Sequence, residues 1–352
     1  MNPTDPTLHT VDGHPQLRLR RELAHPPEKV WRAITDPAEL AHWFPATVRT
    51  ELRAGAEMHF VFEDGEFVDT DGEILEIDPP KVFVFRWGQE VLRWELVPAE
   101  HGCILYFSHT FTGPDGWGDR LAAARHAAGW VACLDLLVDL LDGRPPQTAT
   151  TGVADDQWFD RSEQYTEAFG IAEGEVDETS DGFRLRIARD LVQSAEDVWA
   201  MLTSDDPADE DDATPDSARD EASESGAEEP GRAGVQAGST DVGATPPLQF
   251  TNGFVPAGPI TSVEPGRTLE YRWEHDGAAA GLVRWEFHAH EFGCAIQIVQ
   301  TVPATLAGTR AVALAAWQTH LEVLIRTLHG RPQCWPFERT EELRRRYEAR
   351  LG

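Results

Sequence analysis

The feature that most constrains this chain is that it repeats itself. Arg21-Glu22-Leu23 recurs as Arg189-Asp190-Leu191, and Glu28-Lys29-Val30-Trp31 recurs at the same spacing as Glu196-Asp197-Val198-Trp199. Further on, Arg86-Trp87 returns as Arg272-Trp273, Arg93-Trp94-Glu95 as Arg284-Trp285-Glu286, and Gly102-Cys103 as Gly293-Cys294. Trp130, Leu134, Leu137 and Leu141 match Trp317, Leu321, Leu324 and Leu328, and Gly143-Arg144-Pro145 matches Gly330-Arg331-Pro332. Two copies are too few, and each is too long, for a solenoid of stacked repeats. The 352 residues suit two domains at roughly 100–200 residues each. The expected division is a first domain over 15–170, a linker over 171–182 and a second domain over 183–352.

The first copy reads as an α+β domain. Leu17 to Leu23 alternates apolar and charged residues, the signature of a half-buried strand. Pro26-Pro27-Glu28 opens a helix, because proline is tolerated in a first turn and an early acid suits the helix dipole. Asp36-Pro37 starts a second short helix with Asp36 as its cap. Strands are expected at 58–62, 67–77, 81–87, 91–97 and 103–111, joined by short turns that imply an antiparallel meander. A helix from about Asp119 to Asp142 carries Leu121, Ala128, Val131, Leu134, Leu137, Val138 and Leu141 at helical period, and Gly143 with Pro145 ends it. An antiparallel sheet with its helices gathered on one face is the α+β arrangement.

With that order in view, the stretch PPEKVWRAITDPAELAHWF resembles the opening signature of the START-like superfamily branch named for the activator of Hsp90 ATPase. DGEILEIDPPKVFVFRW resembles its central strand–PP–strand segment, and the helix ending in LLDGRP resembles its terminal helix. The resemblance covers nearly all of the first copy and, in the second, 183–203 and 258–332. It implies tandem helix-grip domains of the START/Bet v 1-like kind, each a curved antiparallel sheet wrapped on a long C-terminal helix around a cavity. Relatives of this type include carriers of hydrophobic small molecules, cyclases or hydrolases, and a stimulator of a chaperone. A shared fold does not choose among these.

Charge excludes some partners. The formal net charge of −31 argues against nucleic acid, which calls for a basic stripe, and against an anionic membrane surface. No run of about 18 apolar residues and no leader pattern is visible, so the expected location is the cytoplasm. Cys103, Cys133, Cys294 and Cys334 show no metal-ligand spacing and are expected to be buried apolar thiols in a reducing compartment. No metal and no cofactor is expected. The segment 204–246 is rich in Asp, Glu, Ser, Ala, Gly and Pro, cannot bury enough surface to order itself, and is expected to be a disordered acidic insert. It stands where the first copy has its second short helix and first sheet strands, so the second domain should have a reduced sheet edge. The insert reads as a solvated linker; an electrostatic docking tail for a basic partner is the alternative.

Alternation sorts the strand side chains of the first copy into faces. The expected wall of a ligand cavity is Phe60, Phe62, Phe85, Trp87, Trp94, Phe107, His109 and Phe111 from the strands, with His126 and Trp130 from the long helix. Plain core packing is the alternative for each aromatic, and a hydrogen-bonded core histidine is the alternative for His109. No catalytic constellation is visible and no catalytic residue is assigned. Three functions come into view, in this order. The first is a non-enzymatic protein that binds a hydrophobic small molecule in the first-domain cavity. The second is a chaperone-associated, Hsp90 ATPase activator-like or other protein-interaction module. The third is a cyclase or hydrolase-type enzyme using His109. A ligand-sized cavity separates the first from the second, and a second polar group facing His109 is what the third requires.

Overall fold

A computed structural model describes residues 5–62, 70–112, 117–144, 156–204, 239–290 and 293–352. The chain divides into two compact units, the first built mainly from Met1–Gly174 and the second from Glu175–Ile187, Ala195–Phe287 and Gln297–Gly352.

The first unit is an eight-stranded antiparallel sheet with four helices. Its elements are β1 (Thr7–Val11), β2 (His14–Leu23), α1 (Pro27–Thr35), α2 (Pro37–Leu40), β3 (Thr47–Thr50), β4 (Glu57–Val61), β5 (Thr70–Asp78), β6 (Val82–Trp87), β7 (Glu90–Ala99), β8 (Gly102–Thr110), α3 (Trp117–Leu141) and α4 (Asp156–Ala168). The strands lie in the order β1-β2-β8-β7-β6-β5-β4-β3, so the N-terminal hairpin closes back on the last strand of the meander. Strand β1 precedes the expected domain start. Its signal is in the sequence: Asp12-Gly13 joins Val11 to His14 with φ of 50° and 85°, the two-residue turn that Asp-Gly favours. Asp36 caps α2 as expected, accepting from the Ala38 amide at 2.9 Å. The turn expected at 63–65 lies outside the described residues.

The core of this unit lies between the inner sheet face and α3. Leu17 and Leu19 of β2, Phe83 and Phe85 of β6, Leu92, Trp94 and Leu96 of β7, and Leu105 and Phe107 of β8 all point into it. Ala123, Ala124, Ala127, Trp130, Leu134, Leu137 and Leu141 return that surface at three- and four-residue spacing along α3. The stretch Arg120–Leu141 is long and apolar enough to cross a membrane, although no uninterrupted apolar run marks it in the sequence; in the fold its apolar side is spent on the sheet. The end of α3 is tied to α1, where Lys29 Nζ donates to the Leu141 carbonyl at 2.5 Å, a cation at a helix C-terminus. Arg86 and Arg93 lie on the outer face; Arg86 pairs with Glu73 on the neighbouring strand β5, and Arg93 reaches across β6 to Glu76 of β5.

The second unit is a six-stranded antiparallel sheet in the order β11-β12-β13-β14-β10-β9. It comprises β9 (Glu175–Thr179), β10 (Gly182–Leu191), α5 (Ala195–Thr203), a short 3-10 turn at Leu248–Phe250, β11 (Ala257–Glu264), β12 (Thr268–His275), β13 (Ala278–His290), β14 (Gly293–Pro303), α6 (Arg310–Leu328) and α7 (Phe337–Leu351). Strands corresponding to β3 and β4 are missing among the described residues. The stretch 171–182, expected as linker, carries β9 instead, and Ile171 is buried in the first core. Of the expected insert, 205–238 lies outside the described residues. Its last residues carry defined structure: Gly243 and Ala244 exchange backbone hydrogen bonds with Ile260 of β11.

Gly102 and Gly293 show why β8 and β14 each start with a glycine. Their φ values are +128° and +135°, and a Cβ would lie 2.0 Å from the carbonyl oxygens of Leu23 and Leu191. The cysteines that come next, Cys103 and Cys294, are buried as expected, but Cys334 is exposed and Cys133 is half-buried.

Candidate functional site

The ten residues expected to line the first-domain cavity form two sets of ring contacts, which Phe44 joins through Trp87 and Trp130. Phe60 stacks on Trp87 at 4.6 Å between ring centroids and meets Phe85 at 5.8 Å. Phe62 stacks on Trp87 as well, at 6.1 Å. Trp94 packs on Phe107 at 4.2 Å, and Trp130 of α3 packs on both, at 5.8 Å and 4.6 Å. His109, Phe111 and His126 complete the series at 4.5–5.3 Å. Alternation places these side chains correctly because each strand is regular through the positions concerned.

What alternation does not supply is how completely the rings fill the space. Trp43 and Phe44, in the turn after α2, press inward and touch Trp94 at 5.6 Å and Trp130 at 5.8 Å. Beside them lies a void of about 10 Å³, bordered by Leu40, Val48, Met58 and Phe83 among others. That is the lower limit of what a single water molecule occupies. Among the described residues, the inner face around the Trp94 cluster is a packed aromatic core.

One polar group sits in this core. His109 of β8 is 2% exposed and has both ring nitrogens engaged. The Trp130 indole N–H donates to His109 Nδ1 at 3.0 Å. An indole can only donate, so Nδ1 is the acceptor and Nε2 carries the proton. Nε2 faces the Glu90 carboxylate at hydrogen-bond distance. Burial pushes the Glu90 carboxyl upward, but its pairing with His109 outweighs this and leaves it below its ordinary value. His126, four residues before Trp130 on α3, is pushed down to about 3 by burial, and is therefore neutral.

Glu90 escapes the sequence analysis because Gly88-Gln89 reads as a turn with the strand starting at Val91. Its parity with Leu92, Trp94 and Leu96 is the available signal, since residues two apart share a face.

The second unit builds the same station differently. Trp317 of α6 donates to Gln300 Oε1 of β14 at 2.8 Å, as Trp130 does to His109. Where Glu90 stands in the first unit, the same distance from the core tryptophan gives Gly281, and a Cβ there would meet the Thr301 carbonyl at 2.3 Å. Gln300 Nε2 accordingly has no partner among the described residues. The sequence shows no counterpart of Trp43 and Phe44, yet the structure provides one: Phe250, fully buried, meets Trp285 at 5.3 Å and Trp199 at 5.5 Å. Its carbonyl accepts from both Tyr271 Oη at 3.0 Å and Trp285 Nε1 at 3.1 Å. His320 of α6 bonds the Gln249 carbonyl at 2.9 Å, and burial pushes its pKa down to about 4.

No group of three or more His, Cys, Asp or Glu side chains placed to hold a metal occurs among the described residues.

Comparison with known proteins matches residues 24–142 to the family described as activator of Hsp90 ATPase homolog 1-like protein. A search of curated proteins finds no match. Among solved structures, CalU16 from Micromonospora echinospora is 22% identical, with 47% of this chain and 96% of that chain covered and a TM-score of 0.37. Protein MLL2253 from Mesorhizobium loti is 26% identical over 37% of this chain and 98% of its own, with a TM-score of 0.33. A conserved protein of unknown function, EF2215 from Enterococcus faecalis, is 20% identical over 48% and 92%, with a TM-score of 0.38.

Proposed function

We propose that this chain, whose first domain belongs over residues 24–142 to the activator of Hsp90 ATPase homolog 1-like family, is a non-enzymatic binding module that engages a protein partner through its surface. The observation that carries this reading is the packing of the inner face. Trp43, Phe44, Trp94, Phe107 and Trp130 occupy the space that a small-molecule carrier leaves open, and the void beside them is about 10 Å³. Ligand sites of drug-like size run to roughly 300–1,000 Å³. A partner that complements a net charge of −31 presents a basic face, and a chaperone-associated role is the form of partner binding that the family's description favours.

A second reading keeps an apolar small molecule in the first domain. It is favoured by the chemistry of the residual void, whose lining is apolar throughout, and by rings that meet edge to face and would part to admit a guest. The enzyme reading has its second polar group in Glu90. Both nitrogens of His109 are committed, however, and proton transfer calls for a substrate within hydrogen-bond reach.

Native mass spectrometry and titration of the full chain with an apolar fluorescent probe at neutral pH test the proposal. The expected result is no retained small molecule and no stoichiometric probe binding. Binding of one probe per chain, weakened by Trp94→Leu by about 1–2 kcal/mol while the protein stays folded, overturns the partner reading in favour of the ligand.

A further inference from the structure

We propose that the Trp130–His109 hydrogen bond is an acid-released latch that fastens helix α3 to the sheet of the first domain. The inference rests on the geometry of the station and is independent of what the protein binds.

In the structure His109 accepts from Trp130 at Nδ1 and donates to Glu90 from Nε2. A second proton on the ring has only Nδ1 to go to. There it sets one N–H donor against another, and the indole has no acceptor to offer in exchange. Protonation therefore breaks the bond between α3 and β8 and leaves the one to Glu90, which becomes an imidazolium–carboxylate pair. The same histidine thus has two self-consistent arrangements, one with α3 attached and one without, and a proton selects between them.

The surrounding groups define the device. Glu90 on β7 is the anion facing the ring, with its side chain 27% exposed and thus open to adjustment. From α3 come His126, edge-on to His109 at 5.3 Å, and Arg125, whose charge acts on Glu90 and His126. From β2 the residue opposite is Leu17, and from the end of β8 Phe111 packs on the ring. His126 stays neutral because burial pushes it down to about 3, so the second imidazole does not take the proton first. Trp130 is also the helix residue that touches Trp94, Phe107 and Phe44, so its release loosens α3 over the centre of the aromatic core.

The second domain supplies an internal reference. Trp317 donates to Gln300, an amide that does not titrate, and His320 beside it remains neutral down to about 4.

The test is the indole N–H resonance of Trp130 in the full chain labelled at tryptophan nitrogen, assigned by its loss in Trp130→Phe, and tracked from about pH 8 to about pH 5, the range that brackets an ordinary histidine. The Trp130 signal is expected to titrate in the wild type while the Trp317 signal stays flat. In His109→Gln, which copies the second domain, the Trp130 signal is expected to be flat as well. In Glu90→Gln the transition is expected at least about one pH unit lower, because the carboxylate that stabilises the imidazolium is gone. A flat Trp130 signal in the wild type, or an unchanged titration in His109→Gln, overturns the latch. Where His109→Gln does not fold, Glu90→Gln decides alone: a midpoint that stays or rises refutes the proposal.

Discussion

The two domains solve one packing problem with different pieces. In the first, two sheet strands and the Trp43-Phe44 turn extend one end of the core, and a histidine with a carboxylate partner accepts from the helix tryptophan. In the second those strands are absent among the described residues, Phe250 alone plugs the position over Trp285, and Gln300 accepts from the helix tryptophan with nothing to receive its amide nitrogen. The constant element is the tryptophan pair, Trp94 with Trp130 and Trp285 with Trp317, at 5.8 Å and 6.0 Å. The difference teaches that the pair and its hydrogen-bond acceptor define the fold's centre. What caps that centre and what charge it holds were free to diverge.

The comparison is broken hardest at its plug. Phe250→Ala should destabilise the second domain by about 3–5 kcal/mol, since the ring is fully buried against Trp199 and Trp285. Phe44→Ala should cost less, because Trp43 remains in contact with Trp94. Chemical denaturation monitored by tryptophan fluorescence measures both, and a larger cost at Phe44 than at Phe250 contradicts the assignment of Phe250 as a lone plug.

The acceptors come next. His109→Leu strips partners from both Trp130 and Glu90 and should cost about 2–3 kcal/mol. Gln300→Leu strips a partner only from Trp317 and removes an amide nitrogen that had none, so its cost should stay within about 1 kcal/mol. Equal losses in the same denaturation assay would show that Glu90 contributes nothing.

Acid sharpens the comparison. His126 and His320 take up a proton in the unfolded chain near the ordinary value of about 6.5. In the fold they resist it down to about 3 and about 4. Below about pH 6.5 the unfolded chain therefore binds more protons than the native one, and stability falls as pH falls, by about 1.4 kcal/mol per pH unit for each histidine. Unfolding free energies at pH 6.5 and pH 5 should differ by about 2 kcal/mol in each domain, and His126→Leu should lessen the dependence in the first only. A first domain whose stability is flat over this range would mean that His126 is solvated in solution.

The smallest effect belongs to the outer face. Arg93→Ala breaks the pair with Glu76, but the Arg93 side chain is 40% exposed, so the change should stay within about 0.5 kcal/mol. A cost above about 1 kcal/mol would place that face against something other than water.

Much of this is legible in the sequence. The strand faces around Trp94 and Phe107 come from alternation, α3 from its apolar stripe, and Asp36 as a cap from its place before Pro37. The reduced second sheet comes from comparing the copies. Strand β1 goes unseen although Asp12-Gly13 announces its turn, and Glu90 goes unseen although its parity places it inward.

Local rules of this kind work because side-chain direction depends on backbone geometry over two to four residues, and a sequence carries that geometry directly. The α+β order and the inward set of aromatics were therefore determined by the sequence alone. Tertiary structure decided the rest. Whether aromatic rings line a cavity or fill it depends on their volumes summed against those of Trp43, Phe44 and the α3 alanines, which come from distant parts of the chain. Whether His109 is a ligand group or a satisfied core residue depended on Glu90 and Trp130 arriving at its two nitrogens. Whether the short stretch after the acidic insert yields a core residue depended on the space over Trp285 that Phe250 fills. Volume and hydrogen-bond complementarity are sums over partners brought together by folding, and no window of sequence contains all of them.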